Sequence, residues 1–189
     1  YATLFVPGME WNGKGGEGNW YGGAAASLST VYVMKYFDPK DTGNSWDCGQ
    51  DFYVIRYAEV LLSLAEAMVE NGGYNEDEVY ALVNEVRQRK SVNMPTVEEV
   101  EGSSLGKEEL LEVIRHERRV ELAFEGLRLF DLYRWKKLDE AVTKIENERT
   151  SLGLAYEPRV FNGERDYVWP IPTSEVDTNK KLEQHQLWK

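Results

Sequence analysis

Residues 108–137 read EELLEVIRHERRVELAFEGLRLFDLYRWKK, and this stretch decides the fold that we expect for the whole chain. At helical spacing, one stripe of it begins apolar and becomes acidic, and its members are Leu110, Ile114, Glu117, Glu121, Glu125 and Arg128. Gly126 permits a bend, and bulky apolar residues follow it. The pattern predicts a long, bent helix whose partly buried face carries carboxylates.

These carboxylates need cationic partners. Glu117, Glu121 and Glu125 follow one another at four-residue spacing, where like charges repel by roughly 0.2–0.5 kcal/mol per pair. Burial adds a larger cost unless cations pair with the carboxylates. Arginines lie beside the stripe, and others can reach it from elsewhere, with Arg134 as one further candidate. The predicted structural ion network comprises Arg56, Glu59, Glu117, Arg118, Glu121, Glu125 and Arg128.

A catalytic interpretation of the same side chains competes with the structural one. Glycoside hydrolases use a pair of carboxylic acids on either side of the scissile bond. Glu117, Glu121, Glu125 and Asp131 are the candidates for such a pair. Interleaved arginines hold carboxylates ionised, however, and an ionised carboxylate cannot donate a proton. The pattern therefore favours an ion network, and we expect no enzyme activity and no catalytic residue.

Composition excludes several classes of function. The chain has 189 residues and a net charge of −11, which argues against nucleic acid or an anionic membrane surface as a direct partner. The single Cys48 excludes an internal disulfide, and two histidines are too few for a typical zinc site. We expect no metal and no cofactor. Calcium stays an open alternative in the acidic loop of residues 38–51, although its spacing fits no EF-hand pattern.

Residues 51–101 predict a helical hairpin. Asp51 is a plausible N-cap, and a wide apolar arc continues to Val69, which favours contact with two neighbouring helices. Residues 72–73, both glycine, end this helix, and a second begins at Asn75. Its first turn is acidic and its last turn basic, which complements the helix dipole. We therefore expect residues 51–189 to form a mainly α domain of helical hairpins, with long irregular loops and little β-structure.

Three motifs, in order along the chain, carry a resemblance to a known family. Residues 55–62 read IRYAEVLL and precede AEA at 65–67. Residues 117–126 read ERRVELAFEG and precede FDL at 130–132. Residues 169–172 read WPIP and precede Glu175, Asn179 and a glutamine-containing tail. Together they resemble the SusD/RagB family over about residues 31–189.

The resemblance implies a fold and a function. SusD-like proteins contain tetratricopeptide-like helix pairs, and the three motifs belong to their C-terminal portion. The family comprises lipoproteins that bind oligosaccharides or polysaccharides at the extracellular face of the outer membrane without catalysis. They deliver the glycan to a SusC-like TonB-dependent transporter. The lipid anchor would precede the present chain. Some relatives handle peptides, and a helical scaffold that binds other proteins is the alternative function.

Residues 1–50 are predicted to form a separate region, rich in glycine and aromatic residues. Seven of the 16 glycines precede residue 24, which disfavours helices and long strands. Residues 31–37 are β-branched and aromatic and predict one strand. In a glycan binder, aromatic side chains on such loops would stack on sugar rings, whereas the alternative is that they anchor the loop to the helical body. The candidate ligand-binding residues are Trp11, Trp20, Tyr21 and Trp46.

Overall fold

The computed structural model describes residues 4–5, 10–11, 14–15, 32–33, 35–36, 51–90, 92–153 and 157–189. The chain divides into two compact units, Tyr1–Leu127 and Arg128–Lys189, which we call the first and the second unit. The predicted boundary at residue 50 stays a prediction, because residues 37–50 lie outside the described ranges.

Helix α1 spans Tyr57–Asn71, and its start corrects one sequence prediction. Asp51 is not the N-cap, because the helix is preceded by Arg56 in an extended conformation. Val54 and Ile55 lie outside the helix and are exposed. Their branched side chains favour extended backbone, so the first apolar residues of the predicted helix are not helical.

Helix α2 spans Glu76–Arg87 and confirms the predicted hairpin. The Asn75 side chain accepts a hydrogen bond from the Asp77 backbone N–H at 3.0 Å, so Asn75 caps this helix, which begins one residue after the predicted start. Gly72 has φ of 78°, a conformation that glycine adopts without strain, and it ends α1. The two helices pack against each other across the turn.

Helices α3, Val97–Val100, and α4, Lys107–Glu121, complete the helices of the first unit. A reciprocal capping box between Thr96 and Glu99 starts α3. The predicted long helix was wrong beyond Glu121. The chain leaves the helix there, and Phe124 and Gly126 have φ of 65° and 80°. These left-handed positions interrupt a helix.

The core of the first unit lies between α1, α2 and α4, which confirms that α1 contacts two helices. Fully buried aliphatic side chains from all three elements meet there with one from α3. Burying each large aliphatic side chain stabilises the fold by roughly 1.5–3 kcal/mol. The largest of them are Leu62, Val69, Val79, Val83, Val97, Leu110, Leu111 and Ile114.

The described β-structure consists of two short antiparallel pairs. Strand β1, Leu4–Phe5, pairs with β4, Tyr32–Val33, and β2, Glu10–Trp11, pairs with β3, Lys14–Gly15. Within the described part of the range 31–37, the predicted strand is present at Tyr32–Val33. The prediction of a mainly α fold with little β-structure is confirmed.

The second unit contains α5, Arg128–Arg134, α6, Leu138–Ser151, and α7, Thr173–Thr178. Short 3-10 helices lie at Gly163–Tyr167 and Gln186–Trp188. The C-terminal tail holds the extended segment before α7, because the Trp188 indole N–H donates to the Val168 carbonyl at 2.7 Å. Among the helices that the structure describes in either unit, none has the length and apolar content that crossing a membrane requires.

Candidate functional site

Five charged side chains meet just beyond the end of α4, and we call them the ion cluster: Lys35, Arg56, Arg89, Glu121 and Glu125. Arg56 forms two parallel hydrogen bonds with Glu125, from Nε and from a terminal nitrogen, each 2.7 Å long. Its other terminal nitrogen donates to Glu121 at 2.6 Å, and Arg89 donates to the same Glu121 oxygen. Lys35 Nζ lies 2.5 Å from Glu125.

The same cations also satisfy backbone carbonyl groups at the helix end. Lys35 Nζ donates to the carbonyl oxygens of Glu121 and Ala123, at 2.7 and 2.9 Å. Arg56 donates to the Glu121 carbonyl at 2.7 Å. The last carbonyls of a helix have no partner within the helix, and positive charge is favourable at that end. The ion cluster thus serves as a tertiary cap that lets the chain leave α4.

Burial and hydrogen bonding shift the pKa values of the ion cluster in opposite directions. Burial alone would raise the pKa of the Glu125 carboxyl, whose side chain is only 3% exposed. The hydrogen bonds from Arg56 and Lys35 outweigh burial and hold that pKa below its ordinary value. Burial alone would lower the pKa of Arg56, but its bonds to the two carboxylates raise it. Glu125 is therefore an ionised hydrogen-bond acceptor, not a proton donor.

Glu117 lies outside the ion cluster and has a different partner. Arg87 donates to its carboxylate at 2.8 Å and uses Nε to bind the Pro95 carbonyl. Burial raises the pKa of Glu117 above its ordinary value despite the opposing charge of Arg87. A raised pKa alone does not make a glycosidase site, because that chemistry needs a second carboxylate positioned across the bond.

Arg118 links α4 to α1. Its side chain is 5% exposed, donates to the Ser63 hydroxyl at 2.9 Å, and lies 3.9 Å from Glu66. Glu59 occupies the first turn of α1 and is half-buried. Arg128 begins α5 in the second unit, where its guanidinium lies 5.6 Å from the Trp135 ring centre.

The structure thus assembles the predicted ion network only in part. It brings Arg56, Glu121 and Glu125 together, and it places Glu117 and Arg118 in separate contacts along α4. Sequence reasoning missed the cations that complete these contacts, Lys35, Arg87 and Arg89. The two arginines do have a signal, since they belong to the basic end of the predicted second helix, but that pattern predicts only an interaction with the helix dipole.

The remaining candidates cannot be placed in a site. Trp11 lies in β2, but its side chain is outside the described residues, as are Trp20, Tyr21 and Trp46 entirely. The possible calcium loop, residues 38–51, also falls outside them except at its last residue. Within the described ranges, no three acidic, histidine or cysteine side chains are grouped so that they could hold a metal ion. Asp131 is buried and pairs with Arg134 at 2.9 Å.

Comparison with known proteins gives consistent results. The model of the SusD family matches residues 3–188. SusD-like proteins P2 and P38 of Formosa agariphila are 33% and 31% identical, over 82% and 93% of this chain, but only 30% and 32% of their own lengths are covered. A crystal structure of a SusD-like carbohydrate binding protein from Bacteroides fragilis superposes with a TM-score of 0.73 at 29% identity. That match covers 96% of this chain and 40% of the solved one. The chain therefore spans about a third of the curated relatives that it matches.

Proposed function

Because the chain belongs to the SusD family, we propose that it is part of a protein that binds oligosaccharides or polysaccharides without cleaving them. A matching solved structure is described as a carbohydrate binding protein, which supports a glycan as the ligand. The observation that carries the non-catalytic part is the ion cluster. Arg56 binds both Glu121 and Glu125, so these carboxylates are committed to cations rather than exposed to a substrate.

The proposed location is the extracellular face of the outer membrane, with attachment through a lipid anchor. The proposed partner is a SusC-like TonB-dependent transporter, to which the captured glycan is delivered. Both follow from the family resemblance. The mainly helical first unit suits a supporting and partner-facing role, because its described aliphatic side chains form a packed core.

The glycan contacts are proposed to come from the glycine-rich region. Trp11, Trp20, Tyr21 and Trp46 offer broad apolar faces on which sugar rings can stack, and binding residues concentrate on loops. Lys35 fixes one end of this region to α4 through the ion cluster. A loop attached at a defined point loses less conformational freedom on binding, so this attachment would favour affinity.

Affinity electrophoresis against a panel of polysaccharides tests the binding proposal. We expect at least one polysaccharide to retard the protein. Trp20→Ala and Trp46→Ala should weaken that retardation while leaving the melting temperature unchanged. Retained affinity in both variants would assign these tryptophans to packing, and no retardation by any polysaccharide would contradict glycan binding.

Reducing-sugar release from the retarding polysaccharide tests the non-catalytic part. We expect no turnover above the buffer control. Turnover that Glu121→Gln abolishes would defeat the proposal, since a catalytic carboxylate would then be operating inside the ion cluster. Turnover unaffected by that substitution would point to a contaminant or to another residue.

Protein binding is the second candidate function, and a surface of α1 favours it. Val60 and Leu64, one helical turn apart, are about half exposed although both are large and apolar. Replacing both by glutamate should abolish capture of a transporter partner and leave polysaccharide retardation intact. If the double variant still binds the transporter, this face of α1 is not the contact.

A further inference from the structure

A cleft of about 690 Å³ opens between the start of α1 and the end of α2 in the first unit. Its size falls in the range of small-ligand sites. Apolar side chains, Leu61 and Val86 among them, line it together with two tyrosines.

The two tyrosines present ring surface to the cleft and are positioned by neighbours. Tyr57 is 65% exposed and Tyr53 39% exposed. The Tyr53 ring lies 5.3 Å from the ring of Tyr36. The neighbouring Glu85 carboxylate raises the pKa of the Tyr57 hydroxyl. Exposed aromatic faces that are already oriented offer stacking area at little cost in conformational entropy.

Polar groups of both kinds surround these rings. Arg89 contributes one guanidinium nitrogen to Glu121 while its side chain stays 38% exposed, so further N–H groups can face a ligand. The exposed Gln88 adds an amide, which both donates and accepts, and Glu85 is an acceptor. Hydroxyl groups, which donate and accept, match such a mixture.

The charges in and around the cleft indicate whether its ligand is neutral or acidic. The lining contains Arg56, Arg89 and Glu85, but Arg56 is fully engaged by two carboxylates. Residues 1–127 carry 22 acidic and 11 basic side chains, so the surrounding field repels anions. The lining therefore fits an uncharged, hydroxyl-rich ring better than a uronate or a sulfated sugar.

We propose that this cleft is a second saccharide-binding site, which takes a short neutral oligosaccharide by stacking on Tyr57 and Tyr53 with hydrogen bonds to Glu85, Gln88 and Arg89. The inference rests on the proposed glycan-binding function and places a saccharide site on described residues at the start of α1 and the end of α2. Its ligand would be either a segment of the polysaccharide that the glycine-rich region binds or a short free oligosaccharide.

Titration of the isotope-labelled 189-residue chain, followed by amide NMR shifts, tests the site. The probes are xylohexaose, maltohexaose and cellohexaose, with hexagalacturonate as the acidic counterpart. The backbone amides of Tyr57, Glu85, Gln88 and Arg89 should shift with at least one neutral probe. Tyr57→Ala should weaken this binding about tenfold, the loss expected for one aromatic stacking contact.

Matched variants separate stacking from other causes. Tyr57→Phe keeps the ring and should retain most of the affinity, and Glu78→Ala, on an exposed part of α2 outside the cleft, should change nothing. Trp20→Ala should leave the shifts at the cleft in place even where it weakens polysaccharide retardation.

Three results would overturn the inference: no shift at the cleft with any probe, shifts with hexagalacturonate alone, or unchanged affinity in Tyr57→Ala. Retardation of the unmodified protein by a polysaccharide would, in each case, leave the proposed function standing. Shifts at the cleft without retardation by any polysaccharide would support the cleft as a site for short saccharides and contradict the proposed capture of polysaccharides.

Discussion

The two units of this chain are stabilised in different ways. In the first unit, aliphatic side chains of α1, α2 and α4 are removed from water in one continuous core. In the described part of the second unit, only Asp131 and Leu132 are buried. The first unit is therefore stabilised mainly by burial of its apolar core, whereas the described part of the second unit depends on partly exposed contacts.

Aromatic rings and cations provide much of the contact in the second unit. Lys136 Nζ lies 4.0 Å from the ring centre of Tyr167, and the Arg165 guanidinium lies 4.6 Å from that of Trp188. Tyr167 also meets Phe161 edge-to-face at 5.6 Å. Each such contact at an exposed site is worth roughly 0.5–1 kcal/mol, less than the burial of one leucine.

Charge divides the units as well. Residues 128–189 contain 11 acidic and 11 basic side chains, so the whole net charge of −11 belongs to residues 1–127. In that acidic unit, the ion cluster has three cations for two carboxylates. Charged residues of the first unit thus stabilise specific buried contacts. Single substitutions there should change the free energy of unfolding strongly at a few positions, whereas substitutions in the second unit should each have a small effect.

The largest expected effect is that of Arg118→Ala. Removing this guanidinium takes a nearby positive charge away from the buried Glu66 carboxylate and leaves a cavity. The free energy of unfolding should therefore fall by roughly 3–5 kcal/mol. Urea denaturation measures the change. Arg119→Ala is the matched control, because Arg119 is the exposed neighbour on the same helix and should lose no more than about 0.5 kcal/mol. Equal stability of Arg118→Ala and the parent would mean that this contact is solvated.

A core truncation in α1 should have the next largest effect. Leu62 is fully buried, so Leu62→Ala should cost about 2–5 kcal/mol through lost burial and the cavity left behind. Leu64, two residues away and half exposed, supplies the control, and Leu132→Ala is the counterpart in the second unit. Thermal and urea unfolding of the three variants rank the positions. A loss for Leu132→Ala as large as for Leu62→Ala would break the comparison between the units.

Lowering the pH should weaken the first unit through Glu125. Its pKa is held below the ordinary value of 4.5, so the unfolded chain takes up the proton at higher pH than the folded chain does. The stabilisation is complete above the unfolded pKa and is lost as the pH falls through the folded pKa. Between pH 7 and pH 3, Glu125→Gln should therefore lose less of its free energy of unfolding than the parent. Parallel pH profiles would show that this carboxylate is not linked to folding.

The smallest expected effect lies in the second unit. Arg165→Ala removes the cation over Trp188 and should cost roughly 0.5–1 kcal/mol. Lys180→Ala, at an exposed position near the same tail, is the control. Tryptophan fluorescence during urea unfolding reports the change. A loss above about 3 kcal/mol would show that the second unit concentrates its stability as the first unit does.

Local sequence signals predicted the helical hairpin because short-range chemistry determines it. Asn75 supplies a cap and the adjacent glycines supply a turn, so the α2 boundary and its buried stripe needed no tertiary information. The start of α1 and the end of α4 depend on distant partners. Arg56 precedes α1 and at the same time caps α4, 65 residues away in sequence, and no local pattern reports such a bond.

The site residues show the same limit. The sequence identified Glu121 and Glu125 as carboxylates in need of cations and named Arg56 among their partners, but it missed Lys35 and Arg89. Lys35 comes from a segment with no predicted link to α4. Phe124 has a left-handed backbone that its side chain disfavours, so the break after α4 had no signal apart from Gly126.

Measuring the titration of the Glu125 side chain tests the central claim most directly. Carbon-13 NMR of the labelled chain, with Glu125→Gln used to assign the carboxyl signal, gives its pKa. If Arg56 and Lys35 hold this group as a structural anion, the midpoint lies below the ordinary value of 4.5. A midpoint above that value would make Glu125 a protonatable acid of the kind that hydrolases use, and would contradict the account.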